Sequence, residues 1–140
     1  GDLEVSHNDK FLAYSLDIKG SEYYTIYLRD IKKNKIISKE ISETSGSITF
    51  SLDDEYIFYS KLDENHRARK IYRHKIGDYE NKDELIFEER SEAFTVGIGI
   101  SSDEKYYFIN TSDHNTSEQY YFKSDEKKPY PKLIMQKILK

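Results

Sequence analysis

One short motif occurs three times along this chain and limits what it can fold into. The pattern is Ser-x-(Asn/Asp)-(Asp/Glu)-x-aromatic, and its copies begin at Ser6, Ser51 and Ser101, which are 45 and then 50 residues apart. An aromatic residue also lies 21 residues after the first Ser of every copy: Tyr27, Tyr72 and Phe122. Because the sequence stays in phase over this distance, it predicts a repeat architecture with one structural unit per copy.

Each repeat is predicted to form four β-strands, named A to D. Aromatic and β-branched residues favour strands, and the chain holds 13 Tyr and 7 Phe. Strand-rich repeats of this period are typical of a β-propeller with one four-stranded antiparallel blade per repeat. We therefore predict an all-β fold, a partial β-propeller of about three blades in units at about 1–45, 46–93 and 94–140. Since a propeller closes into a ring, we expect this single segment to be part of something larger.

The strands follow the motif in a fixed order. In the first repeat they are predicted at Leu3–Val5, Phe11–Leu16, Tyr23–Asp30 and Lys35–Ile41. In the second they are predicted at Ser47–Phe50, Tyr56–Lys61, Lys70–Ile76 and Glu84–Glu88. In the third they are predicted at Thr95–Ile100, Tyr106–Thr111, Gln119–Lys123 and Lys132–Lys137. A helix is the alternative for the last segment, but Pro129 and Pro131 just before it favour a strand.

The Ser motif lies between strands A and B. We expect its Asn or Asp side chain to bond the backbone of the turn, as short acidic and amide side chains do. Gly46, Gly97 and Gly99 lie in or beside strand A. We expect close backbone approach there, because innermost propeller strands crowd around the central channel.

Composition argues against several classes of function. The chain has no cysteine, which excludes disulfides, thiolate zinc sites and thiol nucleophiles. Its net charge is −4 and its basic residues form no stripe, so we expect no nucleic-acid partner. No run approaches the roughly 18 apolar residues of a membrane span. We therefore expect a cytoplasmic protein with no membrane partner.

We find no self-sufficient catalytic site in the sequence. No Gly-x-Ser-x-Gly elbow occurs, and no Gly-rich phosphate loop suggests a cofactor. The four histidines, His7, His66, His74 and His114, show no spacing that suggests a metal site. Acidic pairs such as Asp53-Asp54 fit solvated turns better than a carboxylate-based hydrolase. We predict no catalytic residue, no metal and no cofactor in this chain.

An ordered set of motifs indicates a family. These are Asp17–Glu22, Asp53–Tyr59, Arg69–Gly77 and Leu85–Glu89. In this order they resemble the propeller of the prolyl oligopeptidase family of serine peptidases. Arg73 and the Glu88-Glu89 pair favour the oligopeptidase B branch, also called protease II.

The resemblance implies a role in a larger enzyme. In that family a seven-bladed propeller caps an α/β-hydrolase domain that carries the Ser, Asp and His triad, and the propeller restricts substrates to short peptides. Oligopeptidase B relatives cleave after Lys or Arg, and prolyl relatives after Pro. This chain would supply three blades and lack the hydrolase domain. Its implied partners are therefore that domain and short peptides, and its open blade flanks are expected to self-associate.

The resemblance also marks individual residues. Phe58 matches a strand aromatic that can face the substrate pocket, with a blade-core position as the alternative. His74 matches a family His for which we expect a structural role, with its ring bonded to the backbone. Tyr72, Gly77 and Gly20 belong to the same structural motifs.

A non-enzymatic binding module that assembles a ring from several chains is the other hypothesis for function. The loops that precede Tyr27 and Tyr72 share almost nothing. Modular arrays often keep such loops alike, so their divergence favours the peptidase.

Overall fold

Antiparallel β-strands make up nearly all of the regular secondary structure in the described residues, as the repeat predicted. The computed structural model describes residues 1–37, 40–113 and 115–139. Within those ranges the single helical element is a 3-10 turn at Glu80–Lys82. No helix in the described part of the chain is long and apolar enough to cross a membrane.

The described residues form thirteen strands, which fall into three groups that follow the three repeats. Blade 1 holds β1 (Leu3–Val5), β2 (Phe11–Leu16), β3 (Tyr24–Asp30), β4 (Lys35–Ile36) and β5 (Ile41–Thr44). Blade 2 holds β6 (Thr49–Phe50), β7 (Tyr56–Leu62), β8 (Ala68–Lys75) and β9 (Glu84–Glu88). Blade 3 holds β10 (Thr95–Ile100), β11 (Tyr106–Ser112), β12 (Thr116–Lys123) and β13 (Lys132–Leu139).

The blades form two sheets. Blades 1 and 2 share one nine-stranded sheet, and blade 3 is a separate four-stranded sheet in the order β10-β11-β12-β13. In this sheet the strand pairing between blades 1 and 2 is that of Thr44 with Lys61. The pairing of β13 with β12 confirms a strand at the C-terminal segment.

The other predicted strands match the observed ones to within three residues at either end, but one predicted strand is divided in two. The segment Lys35–Ile41 was expected to be a single strand D, but the structure has β4 at its start and β5 at its end, both paired with β3. Part of this prediction, Ser38 and Lys39, lies outside the described residues. β5 runs past Ile41 because it crosses toward the next blade, where Thr44 meets β7.

The three Ser motifs form one repeated turn, which we call the Ser turn (residues 6–11, 51–56 and 101–106). In every copy the Ser hydroxyl donates to the Asn or Asp side chain at 2.6–2.7 Å and accepts from the aromatic amide at 3.0–3.1 Å. The same Asn or Asp oxygen accepts the amide two residues later, at 3.0–3.1 Å. The fourth residue always has positive φ: Asp9 61°, Asp54 59° and Glu104 61°. The predicted turn chemistry is confirmed.

Acid should weaken the Ser turns of blades 2 and 3. The bond from Ser101 lowers the pKa of Asp103. Burial raises the pKa of Asp53, but the bonds from Ser51 and Glu55 outweigh it, so the pKa of Asp53 is also lowered. Folding lowers both pKa values, so the ionised carboxylates of Asp53 and Asp103 stabilise the folded protein. This stabilisation is complete above the unfolded pKa near 3.8 and is lost as pH falls through the folded pKa.

The first motif suggests how to test this effect. Asn8 makes the same turn bonds without a charge. The double variant Asp53→Asn with Asp103→Asn should keep the fold. In urea unfolding followed by circular dichroism at pH 2–6, its free energy of unfolding should fall less with decreasing pH than that of the wild type. An equal fall in the double variant and the wild type would contradict this explanation.

Two apolar clusters fill the spaces between blades. The seam 1–2 cluster lies between blades 1 and 2: Ala13, Ile26, Leu28, Ile41, Ile48, Phe50, Ile57 and Tyr59. The seam 2–3 cluster lies between blades 2 and 3: Phe58, Tyr107, Ile109 and Phe122. Strand β7 belongs to both, because successive strand residues face opposite sides. Its Ile57, Phe58 and Tyr59 are all at most 2% exposed.

The three glycines in or beside strand A, Gly46, Gly97 and Gly99, differ in how closely other atoms approach them. Gly46 has φ of 93°, and an added Cβ would lie 2.9 Å from the Tyr24 ring. Close approach is therefore confirmed at Gly46. Among the described residues nothing lies within 4 Å of an added Cβ at Gly97 or Gly99, so the expectation of crowding was wrong at those two positions.

Candidate functional site

Phe58, the predicted substrate-facing residue, lies at seam 2–3. Its ring centroid is 5.0 Å from that of Tyr107 and 5.7 Å from that of Phe122, and the residue is 2% exposed. The Tyr107 hydroxyl donates to the Phe50 carbonyl at 2.8 Å across the same seam. Burial, followed by nearby carboxylate charges, raises the pKa of Tyr107. Phe58 is thus held in a tight aromatic cluster, and its contact with substrate stays a prediction.

A cavity of about 480 Å³ opens beside this cluster. It lies between the Ser turn of blade 2 and the loop that joins β12 to β13, and Phe58 forms part of its wall. Its lining includes Asp53, Glu55, Tyr56, Phe58, Arg73, Phe122, Asp125, Glu126 and Lys127. The volume falls in the range of small-molecule sites, and the lining combines aromatic rings with charges of both signs.

Arg73 is the buried charge of this cavity wall. The residue is 5% exposed, and its Nη2 donates to both carboxylate oxygens of Glu84 at 2.9 and 3.0 Å. Its Nη1 donates to the Lys127 carbonyl at 3.0 Å, which ties blade 2 to blade 3. The guanidinium carbon lies 4.0 Å from the Tyr56 ring centroid, within cation–π range. Nε has no hydrogen-bond partner among the described residues.

His74 belongs to a buried polar network inside blade 2. Its Nδ1 lies 2.6 Å from Oδ1 of Asp83, and the Tyr59 hydroxyl donates to Oδ2 of the same carboxylate at 2.5 Å. His74 and Asp83 side chains are 0% and 3% exposed. Burial, and then the bond to Asp83, raises the pKa of Tyr59. The His74 partner is therefore a carboxylate, not the backbone that we expected.

The other predicted motif residues have local structural settings. Tyr72 stacks on Tyr59 at 5.7 Å between ring centroids. Gly77 has φ of 97° in the turn after β8, and Gly20 has φ of 67° in the loop after β2. Both backbone conformations suit glycine.

Sequence reasoning missed two features of the blades. Asp83 lies 24 residues from Tyr59, and no local pattern marks it as the shared partner of Tyr59 and His74.

The second feature is another repeated turn. Its residues Asp17, Asp63 and Asp113 each follow strand B. Each of these carboxylates accepts backbone amides of the loop before strand C. Their spacing of 11, 12 and 12 residues from the motif Ser could have revealed them.

The described residues hold no group of three or more His, Asp or Glu side chains placed to bind a metal ion. His7 and His74 contact Asp54 and Asp83, which lie in different turns of the blades. His114 lies outside the described residues. These contacts organise turns and strands, and none joins a hydroxyl nucleophile to a histidine base.

Comparison with known proteins identifies the family. The family model described as prolyl oligopeptidase, N-terminal beta-propeller domain, matches residues 1–139. Protease 2 of Moraxella lacunata is 34% identical over 116 residues, which cover 81% of this chain and 17% of that protein. Dipeptidyl aminopeptidase BI of Pseudoxanthomonas mexicana is 29% identical over 119 residues, which cover 84% of this chain and 16% of that protein.

Solved structures agree on the fold. Oligopeptidase B of Leishmania major superposes with a TM-score of 0.93 at 22% identity, over 99% of this chain and 20% of that one. Oligopeptidase B of Trypanosoma brucei, in its closed form with covalently bound antipain, superposes with a TM-score of 0.89 at 25% identity, over 99% of this chain and 19% of that one. The chain therefore spans about a fifth or less of these proteins. It belongs to the prolyl oligopeptidase family and corresponds to part of the family's N-terminal β-propeller domain.

Proposed function

We propose that this chain is the substrate-gating part of a serine endopeptidase of the oligopeptidase B or prolyl oligopeptidase type. The family match over residues 1–139 carries the proposal. The catalytic triad would lie in an α/β-hydrolase domain, and the propeller would admit short peptides and exclude folded proteins. Because Protease 2 of Moraxella lacunata is 34% identical to the chain, we propose cleavage after Lys or Arg, with cleavage after Pro as the other outcome.

Phe58 is our candidate for substrate contact in that enzyme. The adjoining cavity supports the proposal, because Phe58 forms part of its wall beside charged side chains. The burial of Phe58 in the seam 2–3 cluster supports the alternative, a purely structural aromatic. Variants of Phe58 can separate the two roles.

We expect this chain alone to hydrolyse no peptide. Acyl transfer needs an activated nucleophile, an oriented base and donors aimed at the oxyanion. The test is a fluorogenic assay with short peptides ending in Arg, Lys or Pro, run on this chain and on the longer protein that contains it. The longer protein should cleave one class and the chain none. Turnover by the chain that survives repurification and disappears with His74→Ala would contradict the expectation.

The gating role has its own measurement. The longer protein should cleave a susceptible peptide when it is free and leave it intact within a folded host protein. Equal cleavage of both would contradict gating while leaving the peptidase activity in place. A cytoplasmic location and self-association of the open blade flanks are further parts of this proposal, tested by cell fractionation and by sedimentation.

A further inference from the structure

We propose that the cavity beside Phe58 binds a basic residue of a peptide chain. A carbonyl oxygen of the peptide accepts from Arg73, and the cationic side chain faces Glu55 and Asp125. We call this site the seam 2–3 cavity, because its walls belong to blades 2 and 3. The inference rests on the proposed function for its choice of a peptide as the ligand, and it adds the charge of that ligand and the residues that hold it.

Two loops at the same end of neighbouring blades form the seam 2–3 cavity. One is the Ser turn of blade 2, and the other is the loop of residues 124–131 between β12 and β13. The bond from Arg73 Nη1 to the Lys127 carbonyl, at 3.0 Å, holds the two walls together. The volume of about 480 Å³ is enough for a small ligand. Both walls therefore consist of described residues of this chain.

The lining of the seam 2–3 cavity carries more acidic than basic groups. Four carboxylates face two cations: Asp53, Glu55, Asp125 and Glu126 against Arg73 and Lys127. Arg73 is already paired with Glu84, so the charge left for a ligand is negative. Glu55 and Asp125 are exposed, and neither carboxylate has a hydrogen-bond or ion-pair partner among the described residues. These two groups can therefore bind a cation.

The repeat shows that the acidic charge of Glu55 is not needed for the turn. The fifth residue of the Ser turn is Lys10 in blade 1, Glu55 in blade 2 and Lys105 in blade 3. All three turns have the same internal bonds, so their backbone accepts either charge. The acidic residue occurs in the turn that lines the cavity.

Arg73 supplies a second, independent sign of a ligand. It is 5% exposed and forms part of the cavity wall, and its Nε has no hydrogen-bond partner among the described residues. A buried donor without a partner costs free energy, and an acceptor on a ligand would remove that cost. An anion would supply the acceptor but would meet the carboxylates. A peptide carbonyl is a neutral acceptor, so a peptide with a basic side chain suits both parts of the wall.

Aromatic rings provide the apolar part of the same wall: Tyr56, Phe58 and Phe122. Lys and Arg carry their charge on a methylene stem that packs on apolar surface. The cavity therefore offers a surface for the stem, carboxylates for the charge and a donor for the carbonyl.

Titration of the purified chain with N-acetyl-arginine amide, followed by NMR, tests the inference. N-acetyl-citrulline amide has the same shape without the charge, and n-butylguanidinium has the charge without the peptide groups. Each of these two should bind with a dissociation constant about tenfold higher than the arginine amide, because each loses hydrogen bonds to charged groups.

Glu55→Lys gives the blade 2 turn the residue type of the other two turns, so the variant should fold. It should raise the dissociation constant of the arginine amide about tenfold, since an attraction becomes a repulsion. Asp125→Asn should raise it about twofold to fivefold, the usual worth of an exposed charge pair. Glu64→Lys is the matched control: Glu64 is exposed in the loop between β7 and β8, at the other end of blade 2. Its replacement should leave the affinity unchanged, and circular dichroism must show the wild-type strand signal in every variant.

Three results would overturn the inference. These are no binding of the arginine amide at the highest soluble concentration, equal affinity for the arginine amide and either of the other two ligands, and equal losses with Glu55→Lys and Glu64→Lys. Because binding to the chain is measured without catalysis, each of these results would leave the proposed peptidase role untouched. An inactive longer protein would contradict the peptidase role and leave a measured binding site in place.

Discussion

Replacing Phe58 with alanine is expected to lower the free energy of unfolding of this chain by about 3–5 kcal/mol. Phe58 is 2% exposed and packs against Tyr107 and Phe122, so truncation would leave a cavity at seam 2–3. Domains are stable by only about 5–15 kcal/mol, and the variant should therefore unfold at much lower urea concentration. Urea titration followed by circular dichroism measures the change.

Phe108→Ala is the matched control for Phe58→Ala. Phe108 lies seven residues after the motif Ser of blade 3, as Phe58 does in blade 2, but it is half-buried. Its truncation should cost about 1 kcal/mol or less. An equal loss of unfolding free energy in the two variants would contradict the packing explanation, because burial at seam 2–3 would then add nothing to stability.

Phe58→Ala separates the two roles of Phe58 when the substitution is made in the longer enzyme. A structural aromatic predicts lower stability and an unchanged KM for short basic peptides. A substrate-facing aromatic predicts a raised KM with little loss of stability. A large loss of stability with unchanged KM would end the substrate-contact hypothesis.

Replacing Asp83 with alanine is the second change with a large expected effect, a loss of about 2–5 kcal/mol. Asp83 is the shared partner of the Tyr59 hydroxyl and the His74 ring, and both of these residues are buried. Without the carboxylate two buried polar groups would lack a partner. The free energy of unfolding from urea titration is again the measurement.

A double-mutant cycle tests whether the three residues act as one network. Tyr59→Phe alone should cost about 1 kcal/mol, the usual worth of one hydrogen bond. In the Tyr59→Phe background, Asp83→Ala should cost less than in the wild type, because one unpaired group has been removed. Strict additivity of the two losses would contradict the network.

The blade pattern could be read from sequence because its determinants are local. Every bond within a Ser turn joins residues at most five apart. Residue type and spacing over a few positions therefore specify the turn, the strands on either side of it and the period. The alternation of side chains along a strand also follows from the backbone.

The partners across seams required the tertiary structure. Asp54 bonds residues 46 and 47 positions away, and Tyr107 bonds the Phe50 carbonyl 57 positions away. Nothing near Phe58 in the sequence shows that blade 3 would cover it. Nor did the segment 35–41 reveal that its end would cross to blade 2 through Thr44.

By itself, then, the sequence determined the repeat, the Ser turn and the order of strands, because each depends on residues close together along the chain. The tertiary structure decided what covers each face of blade 2, since blade 1 packs against one face and blade 3 against the other. It also decided that Asp83 binds His74 and that Asp54 holds blade 1. The first pairing depends on how the strands of blade 2 fold together and the second on how blades 1 and 2 stack. A carboxylate in a turn carries no local sign of the group that it will meet.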